Sequence, residues 1–207
     1  LGHRVKAVLL GPLSFLWLGK SKEAGFDRFT LLEPLLSVYE AVLARLKAQG
    51  VQWVQMDEPV LGLDLPGDWA LGMERAYHTL HSVGLSVLLA TYFSPLEDRL
   101  SLACKLPVAG LHVDAVRSPQ DLQSVLTWLP PHKVLSVGVV DGRNIWRADL
   151  DALFERIAPI AKTRDLILAP SCALLHTPID LELEQELDPE VKQWLAFDVQ
   201  KVEELAA

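Results

Sequence analysis

The chain has 207 residues and half of them are hydrophobic, which suffices for one domain with a sizeable core and excludes a disordered chain. The formal net charge of -8 argues against nucleic acid or an anionic membrane surface as partner, because both require clustered Lys and Arg; a local cationic pocket for a small anion stays open. Two cysteines, Cys104 and Cys172, make neither a disulfide framework nor a four-thiolate zinc site, and they point to a reduced, cytoplasmic setting.

No apolar run approaches the roughly 20 residues that span a bilayer. The opening Leu1-Gly2-His3-Arg4-Val5-Lys6 has no signal-peptide apolar region. It lacks an initiator Met and passes almost at once into a strand-like run, so the sequence is expected to be the interior of a longer protein.

In chain order, six short apolar runs read as buried parallel strands: Ala7–Leu10, Val51–Met56, Leu85–Ala90, Gly110–Val113, Val134–Val140 and Leu166–Ala169. Between them, Leu31–Ala48 carries Leu32, Leu35, Leu36, Tyr39, Val42, Leu43 and Leu46 on one helical face. Asp68–Ser82, Pro119–Leu129, Asp149–Ala161 and Pro189–Leu205 read as further helices, the last closing the domain. Ser118-Pro119 and Asp188-Pro189 are cap-then-proline helix starts, and Gly50 and Gly84 sit where helices end. Strands recur at βαβ spacing, so the fold is a parallel α/β one, either a barrel or a doubly wound sheet. No glycine-rich G-x-G-x-x-G or P-loop follows a strand, which lowers the case for a nucleotide-binding sheet. A (β/α)8 barrel needs eight units and about 250 residues. About six units are present, and the missing ones are expected before Leu1.

Polar residues collect at the strand ends, the face that carries active sites in a barrel. Asp57-Glu58-Pro59 ends the second strand. Two adjacent carboxylates there could hold an ammonium or act as acid and base, and the pleat points them oppositely, so one could enter the site while the other binds a loop. A simple loop cap is the alternative. Arg143 and Asn144 follow the fifth strand, where an arginine clamps a carboxylate or phosphate or pairs with a barrel carboxylate such as Asp114. Trp17 and Lys20-Ser21-Lys22 form a loop that either holds an anionic aromatic ligand or is merely solvated. Cys172 and His176 are too few for zinc. His112 reads as a packed strand histidine, and His3, His78, His81 and His132 as surface residues. No nucleophile-elbow Gly-x-Ser-x-Gly occurs.

Gly11-Pro12-Leu13-Ser14-Phe15-Leu16-Trp17-Leu18-Gly19-Lys20, Trp53-Val54-Gln55-Met56-Asp57-Glu58-Pro59, Gly142-Arg143-Asn144-Ile145-Trp146-Arg147-Ala148-Asp149 and Ser171-Cys172-Ala173-Leu174-Leu175-His176-Thr177-Pro178-Ile179-Asp180 together resemble the N-terminal domain of the cobalamin-independent methionine synthases. The resemblance runs from Leu1 to Ala207. It implies a parent enzyme of two face-to-face (β/α)8 barrels. That enzyme transfers a methyl group from polyglutamylated 5-methyltetrahydrofolate to homocysteine, held as a thiolate on a zinc in the C-terminal barrel. Residues 1–207 would be the later part of the N-terminal barrel, without its first units and without the zinc barrel. The partners implied are that catalytic barrel and the polyglutamylated folate.

The two barrels look like a duplication. The resemblance therefore implies that the zinc-binding His and first Cys fall on Thr91 and Phe93 here, the Glu on Asp114, the proton-donor His on Arg143 and the last Cys on Cys172. This leaves a non-catalytic barrel portion without catalytic residues, metal or cofactor of its own. Trp17, Lys20, Asp57, Glu58, Asp114, Arg143 and Asn144 are its candidate binding residues. A separate barrel enzyme of related ancestry, such as a uroporphyrinogen decarboxylase-like protein or a small methyltransferase, and a folate or amino-acid binding module are the alternatives.

Overall fold

The structure is a computed structural model and describes residues 5–207; His3 lies outside the described residues. Six parallel strands form one sheet: β1 (Ala7–Leu10), β2 (Trp53–Asp57), β3 (Ser86–Ala90), β4 (Gly110–Asp114), β5 (Val134–Val140) and β6 (Leu166–Pro170). Each pairs with the next in sequence, in the order β1-β2-β3-β4-β5-β6. A doubly wound sheet reverses its strand order at a switch point. This sheet never reverses, which is the winding of a barrel. The fold is thus a partial (β/α)8-type barrel.

The helices are α1 (Pro12–Leu18), α2 (Leu32–Ala48), α3 (Gly67–His81), α4 (Leu100–Lys105), α5 (Pro119–Trp128), α6 (Leu150–Ala161), α7 (Pro189–Lys192) and α8 (Asp198–Ala206). One set of alternate strand residues, Val54, Met56, Val87, Leu89, Leu111, Val113, Leu135 and Val137, joins the core formed with the helices. The other set, including Gln55, Asp57, Ala90, His112 and Ser136, lies on the opposite face, the barrel interior. Gly50 and Gly84 adopt φ of 86° and 73° two and three residues beyond α2 and α3, a conformation that glycine enters without a Cβ penalty.

Three local expectations change. Trp17 is in α1, not in a loop, because Pro12 starts a helix whose first amides find an acceptor on β2. Leu100–Lys105 is a helix beyond those read from the sequence. The single closing helix over Pro189–Leu205 is two short ones. Between them Trp194–Ala196 pairs with Ile145–Arg147 (Ala196 N to Ile145 O 2.8 Å, Arg147 N to Trp194 O 2.9 Å), and this long-range backbone pairing replaces helical bonds. Ser118 starts α5 by position only, since its hydroxyl makes no cap bond, whereas Asp188 accepts from Glu190 N at 2.8 Å.

Two cations fasten the end of the barrel where strands begin. The Lys133 ammonium is buried and donates to Cys104 O at 2.8 Å and to Leu106 O, both at the end of α4. Arg164 donates to Leu129 O at 3.1 Å, Pro130 O at 2.7 Å and Lys133 O. Lys133, and Arg164 at Leu129, satisfy carbonyls that a helix leaves orphaned at its C-terminus, and the other Arg164 bonds hold the turn before β5. At the sheet margins Val8 is 55 % and Leu168 is 45 % exposed, and among the described residues no strand pairs beyond β1 or β6. Such open, apolar edges are what an incomplete barrel presents.

Gly138, on β5, has no room for a side chain. A Cβ there would stand 2.6 Å from the Ser171 Cα and 3.2 Å from two atoms of the His112 ring. Gly138→Ala is expected to lower stability by about 1–3 kcal/mol. The urea midpoint would fall while the denaturant slope stays unchanged.

Candidate functional site

The strand ends place a set of polar side chains at one mouth. β2 ends in Asp57 and passes directly to Glu58, and the pleat separates their side chains as the spacing predicts. Asp57 faces the interior. Gln55 Nε2 donates to its Oδ1 at 2.8 Å and the Tyr92 hydroxyl to its Oδ2 at 3.1 Å. Burial pushes its carboxyl above the ordinary range, while those two bonds and the nearby Lys6 ammonium pull it back.

Glu58 turns the other way and is wholly buried. It accepts from Leu13 N at 3.2 Å, Ser14 N at 2.8 Å, Ser14 Oγ at 2.6 Å and Tyr77 Oη at 3.2 Å. Four donors but no cation surround it among the described residues. Desolvation therefore prevails over the hydrogen bonds and raises its pKa to about 7. Gly11 must be glycine for the same contact, since a Cβ would fall 2.1 Å from the Glu58 Cδ. The carboxylate pair thus divides into one interior group and one helix anchor.

Asp114, at the end of β4, gives both oxygens to backbone amides. Oδ1 accepts from Val116 N at 3.0 Å and Arg117 N at 2.8 Å, and Oδ2 from Phe93 N at 3.1 Å. Arg143 does not pair with it. The Arg143 guanidinium lies over the Phe93 ring, 4.8 Å from its centroid. Asn144 Nδ2 donates to Asp141 Oδ2 at 2.9 Å, and its Oδ1 accepts from Trp146 N at 3.0 Å and from the fully buried Lys201 ammonium at 3.3 Å. Asn144 is therefore spent on holding its loop.

His112 is the packed histidine that its strand position suggests. Its Nε2 is 3.3 Å from the Ser171 carbonyl, which can only accept, so Nε2 carries the proton and Nδ1 accepts from Ser136 Oγ at 2.9 Å. Burial lowers its pKa to about 4, and it is neutral at physiological pH.

The mouth brings together Asp57, Asp114 and Arg143 with Tyr92, Phe93 and His176. Trp17 and Lys20 stand apart from it. The Trp17 ring meets Trp69 edge-on at 4.9 Å in the helical layer, and Lys20 borders a small apolar cavity of about 200 Å³ with Phe15, Phe26 and Leu31. Sequence reading missed Tyr92, Ser14 and Tyr77. Tyr77 shares a helical face with Met73 and Leu80 and so reads as plain core; nothing local shows that its hydroxyl reaches β2. Tyr92 had a visible signal, as a polar aromatic directly beyond an apolar strand.

The domain family described as cobalamin-independent synthase, N-terminal domain, matches residues 1–165. The chain belongs to that family. A 5-methyltetrahydropteroyltriglutamate–homocysteine methyltransferase of Saccharophagus degradans is 52 % identical over 207 residues, 99 % of this chain. The chain spans 27 % of the length of that relative. Among solved structures, a B12-independent methionine synthase of Shewanella sp. W3-18-1 in complex with selenomethionine superposes with a TM-score of 0.67. It is 15 % identical over 97 % of this chain and 60 % of its own, so it speaks for the fold alone. Among the described residues no helix is long and apolar enough to cross a membrane.

The four positions onto which a duplicated zinc site would map do not fit the metal. Thr91 Oγ1 donates to the His112 carbonyl at 3.0 Å, Phe93 has no donor atom, and both Asp114 oxygens are taken by amides. Cys172 is buried and its thiol pKa is raised, chiefly by desolvation, which opposes the thiolate that zinc requires.

Glu58 and His112 act oppositely on stability. The Glu58 pKa is raised from 4.5 to about 7, so its stabilising proton is lost as pH rises through that window, a change of roughly 3 kcal/mol. The His112 pKa is lowered from 6.5 to about 4, so its contribution is present above pH 6.5 and lost as pH falls toward 4. Glu58→Gln is expected to leave stability rising between pH 4 and 6.5, and His112→Gln to leave it falling between pH 4.5 and 7, in urea titrations across pH.

Proposed function

We propose that this chain is the later part of the N-terminal barrel of a two-barrel methyltransferase. The parent enzyme passes a methyl group from polyglutamylated 5-methyltetrahydrofolate to homocysteine, and this portion supports the reaction without performing it. The observation that carries the reading is the engagement of Thr91, Asp114 and Cys172 in the strand-end framework, where a catalytic copy would offer metal ligands. The 52 % identity to a methyltransferase over the whole chain supplies the parent activity.

In the parent, the zinc belongs to the C-terminal barrel, which is the structural partner of this one, and the enzyme works in the cytoplasm. The share of 27 % of the relative leaves ample length for that barrel and for the strand–helix units that would close the sheet at β1 and β6. Within this chain the residues assigned to ligand contact are those of the mouth, Asp57 and Arg143. Glu58, Asp114 and Asn144 hold the loops that carry them. Trp17 and Lys20 are assigned to the flank of the barrel, where they serve the surface next to the missing units.

Two measurements test this. In the full-length gene product, Cys172→Ser is expected to leave the zinc content and kcat for methyl transfer within about twofold of the parent. Stoichiometric zinc bound through Cys172, or loss of turnover in that variant, would overturn the non-catalytic reading. A parent that fails to methylate homocysteine at all would overturn the assigned activity instead.

A further inference from the structure

Phe93 is a non-glycine residue with φ of 79°, immediately beyond β3. Left-handed backbone is strained for an aromatic residue and persists only where surrounding contacts over-determine it. Four other strand ends or their loops converge on this turn. From β2, Asp57 takes the hydroxyl of the adjacent Tyr92. From β4, Asp114 Oδ2 takes the Phe93 amide at 3.1 Å. From the loop after β5, the Arg143 guanidinium sits 4.8 Å over the Phe93 ring. From the loop after β6, the His176 ring meets Phe93 edge-on at 5.8 Å.

Arg143 is itself held at its backbone, where Asp141 Oδ1 accepts its amide at 2.8 Å. The rest of its loop is pinned by the buried Lys201, which donates to Asn144 Oδ1 at 3.3 Å and to the Trp146 carbonyl at 3.2 Å. Among the described residues the guanidinium itself makes no ion pair or hydrogen bond. One face is covered by an aromatic ring, and its N–H groups are unspent among the described residues. Nearby Asp57 and Asp114 are already bonded, so neither competes for it.

We propose that Arg143, posed on Phe93 beside His176, is a binding site for the carboxylate of a small ligand. A guanidinium fork matches a planar carboxylate with two parallel hydrogen bonds. A phosphate dianion fits less well, since the site offers one arginine and stands close to three aspartates. The left-handed turn at Phe93, held by the Asp114 carboxylate and the His176 ring, places its ring beneath the guanidinium. This rests on reading the strand ends as the ligand-facing mouth of the barrel.

The test uses the full-length gene product with ¹⁵Nε-labelled arginine, titrated with glutarate, with inorganic phosphate and with sodium chloride at matched ionic strength. Arg143→Lys identifies the Arg143 resonance by its disappearance. A saturable shift of that resonance with glutarate, absent with chloride, is the expected result. Phe93→Gly relieves the left-handed strain and removes the ring, so the protein stays folded while the glutarate affinity falls about fivefold. No saturable shift, an equal shift with chloride, phosphate binding as tight as glutarate, or an unchanged affinity in Phe93→Gly would each overturn the proposal. None of these readouts requires methyl transfer, so their failure is distinct from failure of the proposed function.

Discussion

The wholly buried carboxylate of Glu58 ties three elements into one piece. It belongs to the end of β2, it receives the first amides of α1, and it receives the phenol of Tyr77 on α3. A parallel strand emerges from the core with no hairpin partner to satisfy its neighbours, so the turn that follows needs acceptors from elsewhere. Glu58 supplies them for β1, and Gly11 must lack a Cβ so that the carboxylate can enter. Asp114 repeats the device one layer across, accepting three amides that shape the turns beyond β3 and β4. Two acidic groups at the strand ends, Glu58 and Asp114, are thus spent on backbone amides.

That use of the carboxylates is what supports the non-catalytic role proposed for this barrel. A catalytic mouth keeps its donors free toward the lumen and holds them at tuned pKa. Here Glu58 is buried away from the lumen, Asp114 is saturated, and His112 is a neutral crosslink between β4, β5 and the Ser171 carbonyl beyond β6. These polar groups are engaged in holding strand ends and turns together. Arg143 is the exception, held by an aromatic face and left with its fork unspent.

The sheet edges carry the second constraint. β1 and β6 both expose apolar residues, and Phe154 on α6, which lines a cavity with Leu168 of β6, is 73 % exposed. An eight-stranded barrel has no edges, and a six-stranded remainder has two. The apolar margins at β1 and β6 are what the strand–helix units proposed above would cover.

The amino-acid sequence by itself determined the strands and the fold class. Continuous apolar runs between amphipathic helices are a local property of the chain, and their spacing requires parallel crossovers. β1 and β5 follow their apolar runs residue for residue, and α2 begins and ends within a residue of its periodic pattern. The long motifs around Gly11, Asp57, Arg143 and Cys172 carried the family in the same way. Only the tertiary structure decided between barrel and doubly wound sheet, since strand order is a relation among distant segments. It also decided what each strand-end residue does. Asp57 and Glu58 are neighbours of the same charge, and which of them faces the lumen depends on the pleat together with amides 44 residues away, as with Ser14. The same holds for the break near Trp194, where a helical pattern yields to backbone pairing with Ile145–Arg147. Side-chain pattern reports what a segment can bury, but hydrogen-bond partners from other elements determine which groups are left to act.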